Sequence, residues 1–172
     1  RFKIKNDMEV ISQFAIVAPG RSGNKWLAKV AKDLNINVSC NKFDIGYRVE
    51  LPYEILKELT DGFYDMKVSY THPNGIKVRT FCTNPKGYVS EERYNDDLVL
   101  ANGHSYTNMK SNNTNFAVLV TIPVENDKVV DELISGYTKY SGGKIIVNDL
   151  ETMINGTNQI NKFVTKPTLE TT

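Results

Sequence analysis

The stretch IKVRTFCTNPKGYVSEERYNDDLVLANGHS, residues 76–105, decides the reading of the chain. Val78, Thr80 and Cys82 alternate with Lys77, Arg79 and Phe81, so a strand here carries small and β-branched side chains on one face and a cation and a ring on the other. Asn84-Pro85-Lys86-Gly87 supplies turn chemistry, with proline fixing φ and glycine expected to take the positive φ. Val89 and Leu98-Val99-Leu100 continue the pattern as a β-meander. It ends in Asn102-Gly103-His104-Ser105, where polar side chains beside a glycine suit contact with a ligand better than the filling of a core.

Upstream of the meander, Phe14-Ala15-Ile16-Val17-Ala18 is a continuous apolar run that predicts a strand buried on both faces. Pro19 to Asn24 follow as a glycine turn, then a helix over about 25–34 with Trp26, Leu27, Val30, Ala31 and Leu34 at helical spacing. Strand, turn and helix together are the arrangement in which free helix N-terminal amides accept an anion. The plainer alternative is a tight turn with Ser22 or Asn24 as N-cap. A strand and helix of this kind need sheet neighbours, which predicts that they form one piece of a larger α/β unit.

In the run from Asp44 to Leu51, Asp44, Arg48 and Glu50 share one face of a strand, with Gly46 between them. Pro52 opens a helix whose expected buried stripe is Ile55, Leu56 and Leu59. Met66, Val68 and Tyr70 read as a half-buried strand, and His72-Pro73-Asn74-Gly75 as a hairpin turn that leaves His72 exposed. A polar loop over 106–115 leads into the apolar strand 116–122. Asn126 or Asp127 is the expected cap of a helix presenting Val129, Val130, Leu133, Ile134 and Tyr137. Ser141-Gly142-Gly143 ends that helix, a short strand runs through Val147, and Asp149 caps a last helical turn.

The class that emerges is α+β: a mainly antiparallel β-meander with flanking helices, preceded by a βα piece. The expected divisions are 1–37, 38–160 and a frayed tail over 161–172. Lys+Arg number 21 against Asp+Glu 20 in 172 residues, so no general field favours nucleic acid or an acidic membrane. No run approaches the ~18 apolar residues of a bilayer span. The opening residues lack a secretion signal, and two separate cysteines, Cys40 and Cys82, read as reduced thiols, which together predict a cytoplasmic protein. Two histidines and two cysteines without ligand spacing give no metal site, and no G-x-S-x-G supports a hydrolase.

Six ordered motifs, Pro19 to Gly23, Asp44 to Glu50, Val78 to Cys82, Pro85 to Val89, Asn102 to Ser105 and Asn115 to Ala117, resemble the middle region of the uncharacterised FAD-dependent dehydrogenases. These are flavoproteins with two dinucleotide-binding domains. The resemblance implies that residues 14–34 belong to a FAD-binding domain and that about 38–140 form an inserted domain making the substrate pocket. It implies FAD as cofactor, with Gly20, Arg21, Ser22 and Gly23 as cofactor contacts. The G-x-G-x-x-G fingerprint does not occur in these residues, so they are expected to bind FAD weakly or not at all.

Within that scheme Arg48 and Arg79 are candidates for an anionic substrate group, because guanidinium offers a planar fork to a carboxylate. Asn102, Ser105 and Asn115 are candidate positioners. His104 can exchange a proton near neutral pH, and Cys82 can act as a nucleophile or redox thiol. The expected partners are the rest of the flavin domain and a small-molecule substrate, with neither nucleic acid nor membrane. The sharpest expectation is a concave site lined by Arg79, His104 and Asn115 that opens toward the Gly20 turn. The alternative is a non-catalytic module that binds a ligand or protein on the same sheet.

Overall fold

A computed structural model describes residues 2–4, 8–38, 42–94, 98–123, 127–156 and 162–164. Cys40, Asn126 and the tail 165–172 lie outside the described residues, as does the Arg21 side chain. The chain divides into two units, Arg1–Val38 and Ser39–Thr172.

In the first unit β1 (Phe2–Ile4) and β2 (Met8–Val10) pair antiparallel, and a 3-10 turn over Arg21–Gly23 runs into α1 (Asn24–Asp33). The predicted strand over 14–18 does not form, and Phe14 and Ile16 are 85% and 97% exposed. The reason is a missing ladder: a strand of this kind needs neighbours on its edges, and among the described residues β1 and β2 pair with each other and none pairs with 14–18. On α1, Ala31 is buried and Val30 half-buried, while Trp26 and Leu27 face outward.

The second unit holds β3 (Lys42–Pro52), α2 (Tyr53–Gly62), β4 (Ser69–Thr71), β5 (Lys77–Asn84), β6 (Tyr88–Arg93), β7 (Val99–His104) and β8 (Asn113–Pro123). Then follow α3 (Asp127–Ser141), β9 (Ile145–Val147), α4 (Leu150–Ile154) and β10 (Lys162–Val164). Four strands form an antiparallel sheet in the order β3-β8-β5-β4, while β6 with β7 and β9 with β10 make two-stranded sheets. The architecture is α+β, with the meander divided between the large sheet and the β6–β7 hairpin. β8, the apolar run after the polar loop, becomes an inner strand because both of its edges find partners, β3 and β5.

Turn chemistry sets the joints. Gly75, at φ +87, closes the β4–β5 hairpin, with the Gly75 amide donating to the His72 carbonyl at 2.8 Å. Between β5 and β6 the positive φ falls on Lys86, at +50, not on Gly87 as the sequence suggests. Gly87 is required for space: an added Cβ would lie 2.7 Å from the Asn84 Cβ and 2.8 Å from the His104 carbonyl oxygen. Asp149 caps α4 as expected, accepting from the Thr152 amide at 2.6 Å.

The apolar core gathers Val89, Leu98, Val99, Ala117 and Ile145. Val99 is 1% exposed, and full burial of such a side chain stabilises by about 1.5–3 kcal/mol. The α2 stripe differs from expectation, because Ile55 and Leu59 are exposed while Tyr53 and Thr60 are buried and Leu56 is half-buried. Pro52 leads straight out of β3, and the Tyr53 amide donates to the Asn112 carbonyl at 2.9 Å, so the phase of the helix is fixed with Tyr53 inward. On α3 the inward residues are Val130, Ile134 and Tyr137, with Val129 and Leu133 outward.

Candidate functional site

The start of β8 breaks the core pattern. Asn113, Thr114 and Asn115 are buried, the last two with no exposed surface, and buried polar groups of this kind demand partners. The ladder explains which side chains Asn115 meets. Glu50 lies opposite Asn115, Arg48 opposite Ala117 and Asp44 opposite Thr121 on one side of β8. On the other side Arg79 lies opposite Leu119, Phe81 opposite Ala117 and Asn84 opposite Asn115. Directly opposed residues share a face, so Asp44, Arg48, Glu50, Arg79, Phe81, Asn84 and Asn115 line one polar face of the sheet.

Asn84 joins that face through a bulge. The register shifts between Phe81 and Asn84, and Cys82 takes a positive φ of +48. The extra residue restores the phase lost by simple alternation. It also removes the Cys82 carbonyl from the regular ladder, where it accepts from Asn84 Nδ2 at 2.7 Å and from Arg48 Nη1 at 3.4 Å. Arg48 Nη1 donates to Asn115 Oδ1 at 2.7 Å, and Asn84 Nδ2 approaches the same oxygen at 3.4 Å. Two nitrogens and two neutral oxygens thus close a ring, and Ser105 Oγ ties in by donating to Asn84 Oδ1 at 3.1 Å.

Gly103 lies over this ring. A Cβ there would sit 2.2 Å from both Arg48 Nη1 and Asn84 Nδ2 and 2.5 Å from Asn115 Oδ1, so only glycine lets the β7 backbone approach. Arg48 Nε and Asn115 Nδ2 are buried donors without a hydrogen-bond partner among the described residues. Burial pulls the Arg48 pKa down, partly offset by the nearby Cys82 thiol. Among the described residues Arg48 makes no ion pair.

Arg79 sits farther along the same face and is neutralised there. Its Nη2 lies 2.7 Å from Asp44 Oδ2, while Thr121 Oγ1 donates to Asp44 Oδ1 at 2.6 Å. The Arg79 guanidinium also stands 5.0 Å from the centre of the Phe81 ring.

The β6–β7 register places Gly103 opposite Val89 and His104 opposite Tyr88, so His104 and Asn102 lie on the hairpin face away from the ring around Arg48. His104 is exposed, with its ring centre 4.2 Å from that of Tyr106. Asn102 Nδ2 donates to Glu92 Oε2 at 2.9 Å, and Asn102 Oδ1 accepts from the Gly103 amide at 2.8 Å. Cys82 presents an exposed free thiol. The structure therefore brings Arg48, Cys82, Ser105 and Asn115 together, and adds Asn84 and Gly103. Arg79 lies elsewhere on the face, and Asn102 and His104 lie behind the hairpin.

Gly20 to Gly23 belong to the first unit. Gly20 has φ +68 in open space, whereas a Cβ on Gly23 would meet the Pro19 Cβ at 2.4 Å, so packing alone explains the second glycine. Gly23 itself occupies the N-cap position of α1, in place of Ser22 or Asn24, and no side chain caps the helix. With no acidic residue in the 3-10 turn or in the first turn of α1, the open amides fit a phosphate group in chemical kind.

No helix among the described residues is long and apolar enough to cross a membrane. No curated protein matches the chain. A family model described as "FAD-dependent protein, C-terminal domain-like" matches residues 42–140, from the first residue of β3 almost to the end of α3. That span is more than half of the chain and contains the whole polar face, so this flavoprotein-associated domain belongs to the FAD-dependent protein, C-terminal domain-like family.

Proposed function

We propose that the second unit is the substrate-binding insert of a cytoplasmic FAD-dependent oxidoreductase of the dehydrogenase kind, and that it receives a small molecule through an acceptor group at the Arg48 end of the polar face. The carrying observation is the Arg48 guanidinium, partly desolvated and, among the described residues, held by neutral oxygens. A carboxylate or carbonyl oxygen is the group that such a donor set, including Arg48 Nε and Asn115 Nδ2, takes. Ser105 and Asn84 position the ring, and the exposed Cys82 thiol is the group available for thiol chemistry, whereas His104, on the opposite face of the hairpin, takes no part at this end.

When bound, FAD supplies hydride transfer at its ring. Gly20, Arg21, Ser22 and Gly23 would hold part of it through the uncapped start of α1. Docking of further flavin-domain elements is supported by an open apolar cleft of about 540 Å³ in the first unit, lined by Val10, Phe14, Ile16, Val17 and Trp26 among others.

The reading is tested by titrating small carboxylates into the full-length, FAD-loaded protein, following the flavin absorbance together with the Arg48 Nε–Hε resonance. Saturable binding that Arg48→Met weakens about a hundredfold is expected. Equal binding by wild type and variant removes the assignment. A second reading, a binding module without catalysis, draws on the neutralised Arg79 and on His104 standing behind the hairpin. Under that reading carboxylates perturb the Arg48 resonance and never reduce the flavin.

A further inference from the structure

One aromatic ring interrupts the polar face. Phe81 stands in the row Arg48, Ala117, Phe81, which crosses β3, β8 and β5, and it is 41% exposed. Neighbouring strands lie about 4.8 Å apart, so the stems of Arg48 and Phe81 are on the order of 10 Å apart. Between them Ala117 adds only a methyl group. Next on the same face of β8 comes the half-buried Leu119, and Gly46, opposite it, adds no side chain to close the space. The floor beside the guanidinium and the ring is therefore apolar and low.

Arg48 reaches across β8 over this floor. Its Nη1 lies 3.4 Å from the carbonyl oxygen of Cys82, the residue that follows Phe81, so the donor head and the ring stand on neighbouring ground. The other two cations near the ring are differently placed. Lys67 Nζ stands 4.5 Å and the Arg79 guanidinium 5.0 Å from the ring centre. Each already has a carboxylate at 2.7 Å, Lys67 that of Asp65 and Arg79 that of Asp44. They steady the ring and offer little to a second anionic group.

Taking Arg48 as the acceptor site proposed above, we infer that the small molecule is a monocarboxylate with a short aromatic body, and that Phe81 is the residue that selects for it. The carboxylate goes to Arg48 and the body lies on Ala117 and Leu119 against the Phe81 ring. Competing classes fit less well. A dicarboxylate needs a second cation, and Arg79 and Lys67 are taken. A polyol would set hydroxyl groups on the apolar floor without partners. A long aliphatic acid would run past Phe81 to the outer edge of β5, where the Thr80 amide donates to the Val68 carbonyl at 2.8 Å and the Lys67–Asp65 pair stands.

Dissociation constants of acetate, phenylacetate and succinate test the inference, read from the Arg48 Nε–Hε resonance of the full-length, FAD-loaded protein in wild type, Phe81→Ala and Phe81→Leu. Wild type is expected to take phenylacetate about tenfold more tightly than acetate, the weight of one aromatic contact, and succinate no more tightly than acetate. Phe81→Ala should bring the ratio of phenylacetate to acetate affinity down to about one, with Phe81→Leu in between. Equal binding of acetate and phenylacetate by wild type, a preference that survives Phe81→Ala, or a preference for succinate overturns the inference while the Arg48 site stands. Failure of all three to bind removes the Arg48 site itself, and the specificity with it. Should Phe81→Ala not fold by circular dichroism, magnetisation transfer between the Phe81 ring protons and bound phenylacetate in wild type decides, and its absence overturns the inference equally.

Discussion

Arg79 and Arg48 stand on the same face of one sheet, on the two strands that flank β8, yet they meet different company. Arg79 faces Asp44, itself anchored by Thr121, and the pair remains partly open to water. Arg48 is covered by the β7 backbone at Gly103 and meets two neutral oxygens, from Asn115 and the bulged Cys82 carbonyl. A paired and hydrated charge has spent its attraction within the chain. Arg48 is partly desolvated and makes no ion pair among the described residues, although Glu50 stands on the same face, and this is what separates it from the surface pair of Arg79.

The largest expected effect comes from the glycine that lies on this face between Asp44 and Arg48. A Cβ on Gly46 would meet the Val118 carbonyl oxygen at 1.8 Å, and backbone cannot step aside. Gly46→Ala should cost about 3 kcal/mol, the top of the overpacking range, and disturb both arginine environments. Gly103→Ala should cost about 2 kcal/mol, since its neighbours are side-chain ends. It should move the Arg48 Nε–Hε resonance while leaving that of Arg79 in place. Denaturant unfolding of both variants, with arginine side-chain spectra, checks the order and the locality.

Removing the arginines one at a time makes the contrast direct. Arg48→Met leaves the buried Asn115 Oδ1 with the 3.4 Å approach of Asn84 Nδ2 in place of a 2.7 Å charged donor, an expected loss of about 2 kcal/mol. Arg79→Met breaks a pair whose side chains are 30% and 39% exposed, and after allowance for screening the expected loss is under about 0.5 kcal/mol. Added salt should narrow the second difference and leave the first nearly unchanged. Equal losses would show that the two environments are energetically alike.

Much of this contrast was open to reading in the sequence. Alternation along Asp44 to Glu50 assigned the charged residues to one face, and the ladder keeps them there. Arg79 and Phe81 also share a face as alternation requires. Asn84 escaped because a bulge is a change of phase, and after one extra residue alternation assigns the wrong face. Gly103 and His104 stand together in the sequence as one polar tail, although adjacent strand residues point to opposite sides. Pairing partners were the other hidden quantity. The apolar runs at 14–18 and 116–122 look alike as text, yet among the described residues the second finds strands on both edges and the first finds none.

The smallest effect probes the bulge from behind. Asp65 Oδ1 accepts from the Thr83 amide at 3.2 Å, and Asp65 Oδ2 pairs with Lys67 at 2.7 Å, so one half-buried carboxylate steadies the residue between Cys82 and Asn84. The Lys67 hydrogen bond, with help from the Thr83 amide, holds the Asp65 pKa below its ordinary 3.8. A lowered folded-state pKa means that the unfolded chain takes up the proton first. The stabilisation is therefore complete above pH 3.8 and is lost as pH falls through the lower folded value. Asp61, lowered by Lys57 and Tyr53, contributes in the same window and is the control for locality. Asp65→Asn should lower the Tm slightly at neutral pH, and the gap to wild type should close on acidification toward about pH 2. Only Asp65→Asn, and not Asp61→Asn, should broaden the Arg48 Nε–Hε resonance, because only Asp65 supports the carbonyl that the guanidinium grips. A gap that persists in acid would mean that Asp65 acts through shape alone, and that the Arg48 environment is set without its charge.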